Sequence, residues 1–363
     1  MINCEFHTIH LKINSFNSMK YSKSSLYLLL FLFSISFFTS CRSDSNKNEK
    51  QVYYHDQGEI FTTGYSIKYQ HTKSLKNEIE AELDKFDHSL NPFKENSIIT
   101  KVNNNELVEL DSFFMNVFKK SMEISAKTGG YFDITTSPLI NAWGFGFQNM
   151  DNVTPEIIDS LHEFVGYEKI TIDNGEIVKT DPRVQINTSA IAKGYSCDVI
   201  ADLLEQHEIE NYMIEIGGEI TARGVNEKGV CWIIGVDKPN EDMLIVQHDL
   251  QTVLSLCNKS LATSGNYRNF YVKDGKKYAH TIDPHTGYPS NTDILSATVI
   301  ADDCMTADAY ATAFVSMGME KSIEIAKEIP GLHYYFIYEN DSDSSFAVKY
   351  SEGFEQFIAE KAK

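Results

Sequence analysis

The chain carries no basic tract, and its acidic residues outnumber Lys and Arg by 51 to 32, for a net charge of −19. Affinity for a nucleic-acid backbone comes chiefly from Lys and Arg, so this balance argues against such a partner. Among the 6 cysteines there is no Cys-x-x-Cys pair, which argues against a structural zinc site. No Gly-x-Gly-x-x-Gly follows a strand. The nearest approach, Glu215-Ile216-Gly217-Gly218-Glu219, continues as strand, so a dinucleotide-binding fold is rejected. Those glycines still suit close packing against a ligand or another strand. No repeat of fixed period is present. The apolar run Leu26 to Phe38 is too short for a comfortable membrane span.

That run has another reading. Lys20 and Lys23 precede it, and Thr39-Ser40-Cys41 follows it, the pattern of a secretory leader. The small residues before Cys41 resemble a bacterial lipobox, in which the cysteine becomes the lipidated first residue, with Phe38 in place of the usual Leu. An uncleaved anchor helix is the alternative. Met19-Lys20 begins a normal leader, so residues 1–18 read as a mis-called upstream extension. The expected organisation is therefore a signal peptide over 19–40, a lipidated end and polar tether over 41–55, and one domain over 56–363. The domain is expected in the bacterial cell envelope, outside the cytoplasm, in the periplasm. Of the remaining cysteines, Cys197, Cys231, Cys257 and Cys304 are widely spaced. Export permits disulfides, while the apolar runs around three of the four equally suit buried free thiols.

Hydrophobic periodicity predicts an amphipathic helix over Ser74 to Leu90, through Leu75, Ile79, Leu83 and Phe86, and a second over Asp111 to Lys127. Thr154-Pro155-Glu156 opens a third. Further helices are expected at Ala192 to His207, after Cys304, around Glu320 to Lys327, and at the C-terminus. Strand-like runs cover Ile60 to Tyr69, a hairpin about Asp173-Asn174-Gly175, and most of the stretch from Asn211 to Ile300. Two more lie at His333 to Tyr338 and Phe346 to Tyr350. Helices early and late with strands between predict the α+β class, with antiparallel-rich sheets packed with helices.

Five stretches are denser in special residues than packing requires. Between Cys304 and Met319 the one carboxylate is Asp308, set among small and apolar residues. Thr312 follows one helical turn on, on the same face. A buried acid needs a cation or metal, and a carboxylate stacked on a hydroxyl suits a hard ion such as Mg²⁺. The plainer alternative is a solvated acid beside a Thr bonded to its own backbone. Gly129-Gly130-Tyr131-Phe132-Asp133, continuing to Trp143 and Gly146, combines close backbone approach with flat surfaces for a ring. Asn187-Thr188-Ser189-Ala190-Ile191-Ala192-Lys193-Gly194 joins a strand to a helix start, where free amides and Lys193 attract phosphate. The Gly217-Gly218 stretch is the fourth. The fifth is Ala262 to Tyr267 with His280 to Gly287, where His280 ends a strand and can serve as base or clamp.

Taken together and in order, these stretches resemble the ApbE family of FAD:protein FMN transferases over about Ile60 to Lys327. The resemblance implies a T-fold-related architecture and a reaction in which a Thr hydroxyl of an acceptor protein attacks the FMN phosphate of FAD. AMP leaves and FMN stays on the acceptor as a phosphoester. It implies Mg²⁺, with Ca²⁺ or Mn²⁺ as alternatives, held by Asp308, Thr312 and the backbone carbonyl of Ala190. It matches Tyr131, Phe132, Asp133 and Lys193 to flavin-nucleotide contacts, along with Phe61, Phe93 and Asn187. His280 matches a His near the reacting group, which would activate the acceptor Thr. The acceptor would carry an Asp-Gly-x-Thr motif, and lipid on Cys41 would hold the enzyme to a membrane. Three positions depart from the family pattern. Asn187 replaces an Asp and so cannot act as an anion. Phe61-Thr62-Thr63-Gly64-Tyr65 replaces Met-Gly-Thr-Thr-Tyr, and Phe93 replaces a Tyr. Two other readings of the same site stay open: a metal-dependent FAD pyrophosphatase giving FMN and AMP, and a non-catalytic FAD-binding lipoprotein.

Overall fold

A computed structural model describes residues 51–145, 153–237, 250–266, 270–273, 276–340 and 345–359. The upstream extension, the leader, Cys41 and Gly146 lie outside the described residues. The strands, in chain order, are β1 (Val52–Ile60), β2 (Thr63–His71), β3 (Ile170–Asp173), β4 (Glu176–Lys179), β5 (Tyr212–Ile216), β6 (Glu219–Arg223), β7 (Trp232–Asp237), β8 (Leu250–Leu256), β9 (Lys259–Gly265), β10 (Phe270–Lys273), β11 (Lys276–Ala279), β12 (Ile294–Ala301), β13 (His333–Glu339) and β14 (Phe346–Tyr350). Eight of them form an open sheet in the order β1-β2-β5-β6-β9-β12-β13-β14. Every neighbouring pair in it is antiparallel. The other six form three two-stranded ribbons.

Alternation decides which face each strand shows the core. Along β5, Tyr212, Ile214 and Ile216 are buried and their neighbours half-buried. Along β2 the same holds for Tyr65, Ile67 and Tyr69. Central strand β12 is buried on both faces, because helices cover one and the β7–β8 ribbon the other. On β13, Tyr334 and Phe336 meet the helical core, while Tyr335 and Ile337 meet Trp232, Leu254 and Phe354. A disulfide joins Cys231 to Cys257 across the ends of that ribbon, whereas Cys197 and Cys304 are buried free thiols. Both readings of the cysteines are thus realised, each by one pair.

The helices are α1 (Lys76–Leu90), α2 (Ile98–Asn103), α3 (Ser112–Lys127), α4 (Ser137–Ala142), α5 (Pro155–His162), α6 (Ala192–Gln206), α7 (Cys304–Met317) and α8 (Met319–Ala326). α1 buries Ile79, Leu83 and Phe86, the stripe that periodicity predicts. Asp111 caps α3 and Thr154 caps α5, each accepting a backbone N–H of the first turn with its side chain.

Two expectations are corrected. β1 begins at Val52, inside the stretch assigned to the tether, and pairs with β2 along its whole length. In β1 the one buried residue is Asp56, whose carboxylate accepts from Tyr69 Oη at 2.6 Å, so no apolar pattern marks the strand. β9 contains Ala262-Thr263-Ser264-Gly265, small and polar residues of the fifth stretch, and is a central strand. The expected C-terminal helix is a single tight turn over Phe354–Phe357, with a β-bridge from Ile358 to Leu254.

Candidate active site

α7 enters the core with its first turn fully satisfied. Asp303 accepts from the Thr306 amide, and Asp198, on α6, accepts from the amides of Cys304 and Met305 at 2.8 Å each. Two carboxylates at one helix N-terminus answer both the orphan amides and the helix dipole. Burial pushes the Asp198 carboxyl up to about 7 even so. One turn later Asp308 is 4% exposed. Around it Ala307, Ala309, Ala311 and Ala313 are fully buried, so the helix lies close to its neighbours.

The closest neighbour is the start of α6. A Cβ on Gly194 would lie 2.3 Å from the Cys304 carbonyl oxygen and 2.7 Å from Asp308 Cβ, so this crossing admits only glycine. The Gly194 amide donates to Asp308 Oδ2 at 2.9 Å. Gly194 is the third residue of α6, so its amide has no acceptor within the helix, and Asp308 supplies one.

A cleft of about 760 Å³ opens over this crossing. Asp308, Thr312, Ala190 and Lys193 line it, as do Asn187 and His280. Tyr131, Phe132, Asp133 and Phe93 also line it. Ten of the eleven residues singled out from the sequence for binding or catalysis thus meet at one cavity. Phe61 is the exception: it is not among the lining residues, and its ring packs on Phe86 at 5.5 Å between centroids. Phe61 and Thr62 form the two-residue β1–β2 turn, with φ of 51° and 61°. That turn type matches the strand twist but normally uses Asn or Gly. The displaced Gly64 accepts the Gly217 amide at 3.1 Å, so it joins the Gly217-Gly218 turn at the edge of the cleft.

Individual roles are narrower than the residue types suggest. Phe132 is buried in the helical core, and Trp143 is buried with its Nε1 donating to the Gly287 carbonyl at 2.7 Å, so neither offers an open ring face. Tyr131 keeps its place at the wall, held by the His285 ring at 4.4 Å and by Lys321, whose ammonium lies 4.5 Å from its ring centre. Phe93 is 71% exposed at the mouth. The Asp133 carboxylate accepts from Thr135 N, Thr135 Oγ1 and Tyr167 N, all at 2.7 Å. It holds its own loop together, and burial raises its pKa. Asn187 Oδ1 accepts from the Ser189 amide at 2.9 Å, a turn that needs only the carbonyl oxygen Asn shares with Asp. The Phe145 ring approaches His280 edge-on at 6.4 Å.

Among the lining residues to which sequence reasoning gave no role, Glu219 stands out. At the head of β6, it is 4% exposed and binds Lys193 Nζ through Oε1 at 2.7 Å. Burial pushes its carboxyl up to about 7, against the pull of Lys193 and with the Asp308 charge adding to the rise. For Lys193, burial works against the ammonium, but the Asp308 and Glu219 carboxylates outweigh it and raise its pKa above the ordinary lysine value. The sequence signal for Glu219 was an acid opening an otherwise buried strand, Glu219-Ile220-Thr221-Ala222.

Among the described residues no cluster of three or more His, Cys, Asp or Glu could hold a metal ion. Asp308, Thr312 and Ala190, which line the cleft, have donors of another kind to offer: a carboxylate, a hydroxyl and a main-chain carbonyl. Such a set suits a hard cation that keeps waters and completes its shell with substrate phosphates. With an ammonium and an aromatic wall beside it, the cleft has the equipment of a protein that handles a phosphate ester carrying a flat ring.

Known proteins share this build. A profile of the ApbE family matches residues 61–336. The FAD:protein FMN transferase of Vibrio cholerae is 34% identical over 322 residues, covering 85% of this chain and 91% of that protein. The Escherichia coli K12 protein of the same name is 32% identical, covering 80% and 84%. Among solved structures, the flavin transferase ApbE from Vibrio cholerae superposes with a TM-score of 0.75 at 32% identity, covering 85% of this chain and 100% of that one. The apo flavinyl transferase ApbE of Pseudomonas stutzeri gives 0.75 at 26% identity, covering 85% and 97%. The chain belongs to the ApbE family.

Proposed function

We infer that the chain is a flavin transferase, moving FMN from FAD to a Thr hydroxyl of an acceptor protein with release of AMP. The relatives' shared name and the composition of the cleft support this reading. The observation that carries it is the Gly194–Asp308 bond, which ties a buried acid to the start of α6, so that Asp308, Ala190 and Lys193 line the same cavity.

Phosphoryl transfer asks a protein chiefly for positioning and charge neutralisation. Ala190 O, Asp308 and Thr312 would hold Mg²⁺, with Ca²⁺ or Mn²⁺ as substitutes. Bound there, the ion would offset charge developing on the phosphate oxygens. Lys193 supplies a second positive charge at the same wall, and its raised pKa keeps it protonated at neutral pH. Tyr131 and Phe93 present ring surfaces for the flavin or adenine. His280 would take the proton from the acceptor Thr as its oxygen attacks phosphorus. Asn187 fixes the turn ahead of Ala190 and needs no charge to do so. The acceptor is proposed to carry an Asp-Gly-x-Thr motif, and lipid on Cys41 to hold the enzyme at a membrane of the cell envelope, with the cleft on the periplasmic side.

The test incubates the full chain with FAD, Mg²⁺ and an acceptor bearing that motif, beside a working family enzyme. Covalent FMN on the acceptor with equimolar AMP is the expected result. FMN and AMP released at the same rate without acceptor would make it a pyrophosphatase instead, and tight FAD binding without turnover a carrier.

A further inference from the structure

Lys193 lies between two carboxylates and touches one. Its ammonium is 2.7 Å from Glu219, while no ion pair within 4.0 Å joins it to Asp308 among the described residues. Both acids line the same cleft as the lysine. Burial works against its charge, and both carboxylates favour it. Left to itself, an ammonium beside a buried acid pairs with it. Here the pairing goes to the other acid.

Two features direct that choice. The lysine stem runs past Gly217, where an added Cβ would stand 3.2 Å from Lys193 Cδ and 3.0 Å from Thr63 Cγ2, so the missing side chain leaves the stem its path toward β6. Glu219 then receives it with one oxygen only. Its Oε2 is buried and has no hydrogen-bond partner. A buried carboxylate half-satisfied is costly, and packing alone gives no reason to keep one at the head of a strand.

We propose that Glu219 is a positioning residue that draws the Lys193 ammonium away from Asp308, leaving the Asp308 carboxylate open to a divalent cation. The idea rests on the metal site of the preceding section. Two carboxylates and one ammonium leave the site with one net negative charge. Without Glu219, Lys193 and Asp308 would neutralise each other, and a cation would have to displace the ammonium before it could bind.

Mn²⁺ serves as the probe, with binding to the purified full chain followed by electron paramagnetic resonance in the absence of FAD. Wild type is expected to bind one Mn²⁺, and Asp308→Ala to lose it. Glu219→Gln is expected to weaken binding by about tenfold or more, equivalent to about 1.4 kcal/mol. The double variant Lys193→Met/Glu219→Gln is expected to recover the affinity of Lys193→Met alone, which a merely structural role for Glu219 would not produce. Thermal melts check that each variant is folded. Absence of Mn²⁺ binding by wild type overturns the metal reading, and this inference with it. Binding by wild type with unchanged affinity in Glu219→Gln overturns the inference alone. So does a double variant that stays weak, which would make Glu219 a direct ligand or a packing residue.

Discussion

Gly194 gives its backbone amide to Asp308 across 2.9 Å, and no side chain fits where it does so. This contact fixes the spacing of α6 and α7 and holds the acid at the cleft that Ala190 also lines. Gly194→Ala would force a methyl against the Cys304 carbonyl, and backbone yields only by moving a helix. The variant is expected to lose about 1–3 kcal/mol of stability. Urea denaturation measures it, and an unchanged midpoint would mean the helices are free to part.

Phe93 is exposed at the mouth, so its removal should leave the fold intact while weakening the hold on a ring. Phe93→Ala is expected to raise the KM for FAD by about 5- to 150-fold, the range of about 1–3 kcal/mol for one stacked base. Its melting temperature should stay at the wild-type value. A KM unchanged in Phe93→Ala would remove Phe93 from the flavin-nucleotide contacts.

Asp198 predicts a pH dependence with a definite sign. Its carboxyl titrates at about 7 in the fold against 3.8 when free, because burial disfavours the charge. A raised acid contributes stability that is fully present below the unfolded value and is lost as pH climbs through the folded one. Wild type should therefore lose stability between pH 4 and 7 from this group, at up to about 1.4 kcal/mol per pH unit. Asp198→Asn lacks that slope, while Glu219, shifted in the same direction, contributes to both proteins. Stability measured at pH 5 and pH 8 should show wild type's lead over the variant shrinking at the higher pH. A lead that grows would reverse the assignment.

The Cys231–Cys257 disulfide closes 26 residues and contributes no residue to the cleft lining. Replacing both cysteines by Ser should cost about 3.5 kcal/mol, the loop-closure value for that length. Activity of the surviving folded protein should be unchanged. A loss of activity without loss of stability would tie the ribbon to the site.

Much of this site was legible in the sequence because it is built from local exceptions. One acid in an alanine-rich helix and a glycine after Ala-Lys are visible without neighbours; the acid lines the cleft and the glycine bonds to it. What was hidden depends on residues meeting across the chain. Glu219 matters through Lys193, 26 positions earlier, and Asp198 through the amides of Cys304 and Met305. Which cysteines pair follows from the β7–β8 register, which spacing does not encode. Phe61 misled because a family position was carried across a rearranged turn, where two left-handed residues turn its ring onto Phe86. β1 escaped notice because its buried residue is an aspartate.

The central claim is that Asp308 serves the transfer of FMN through a bound cation. Intact-mass spectrometry of the acceptor, after incubation with FAD and graded Mg²⁺, tests it most directly. Wild type should add one FMN per acceptor in a Mg²⁺-dependent manner, and Asp308→Ala should add none at any concentration while melting as a folded protein. Equal flavinylation by the two proteins would contradict the account.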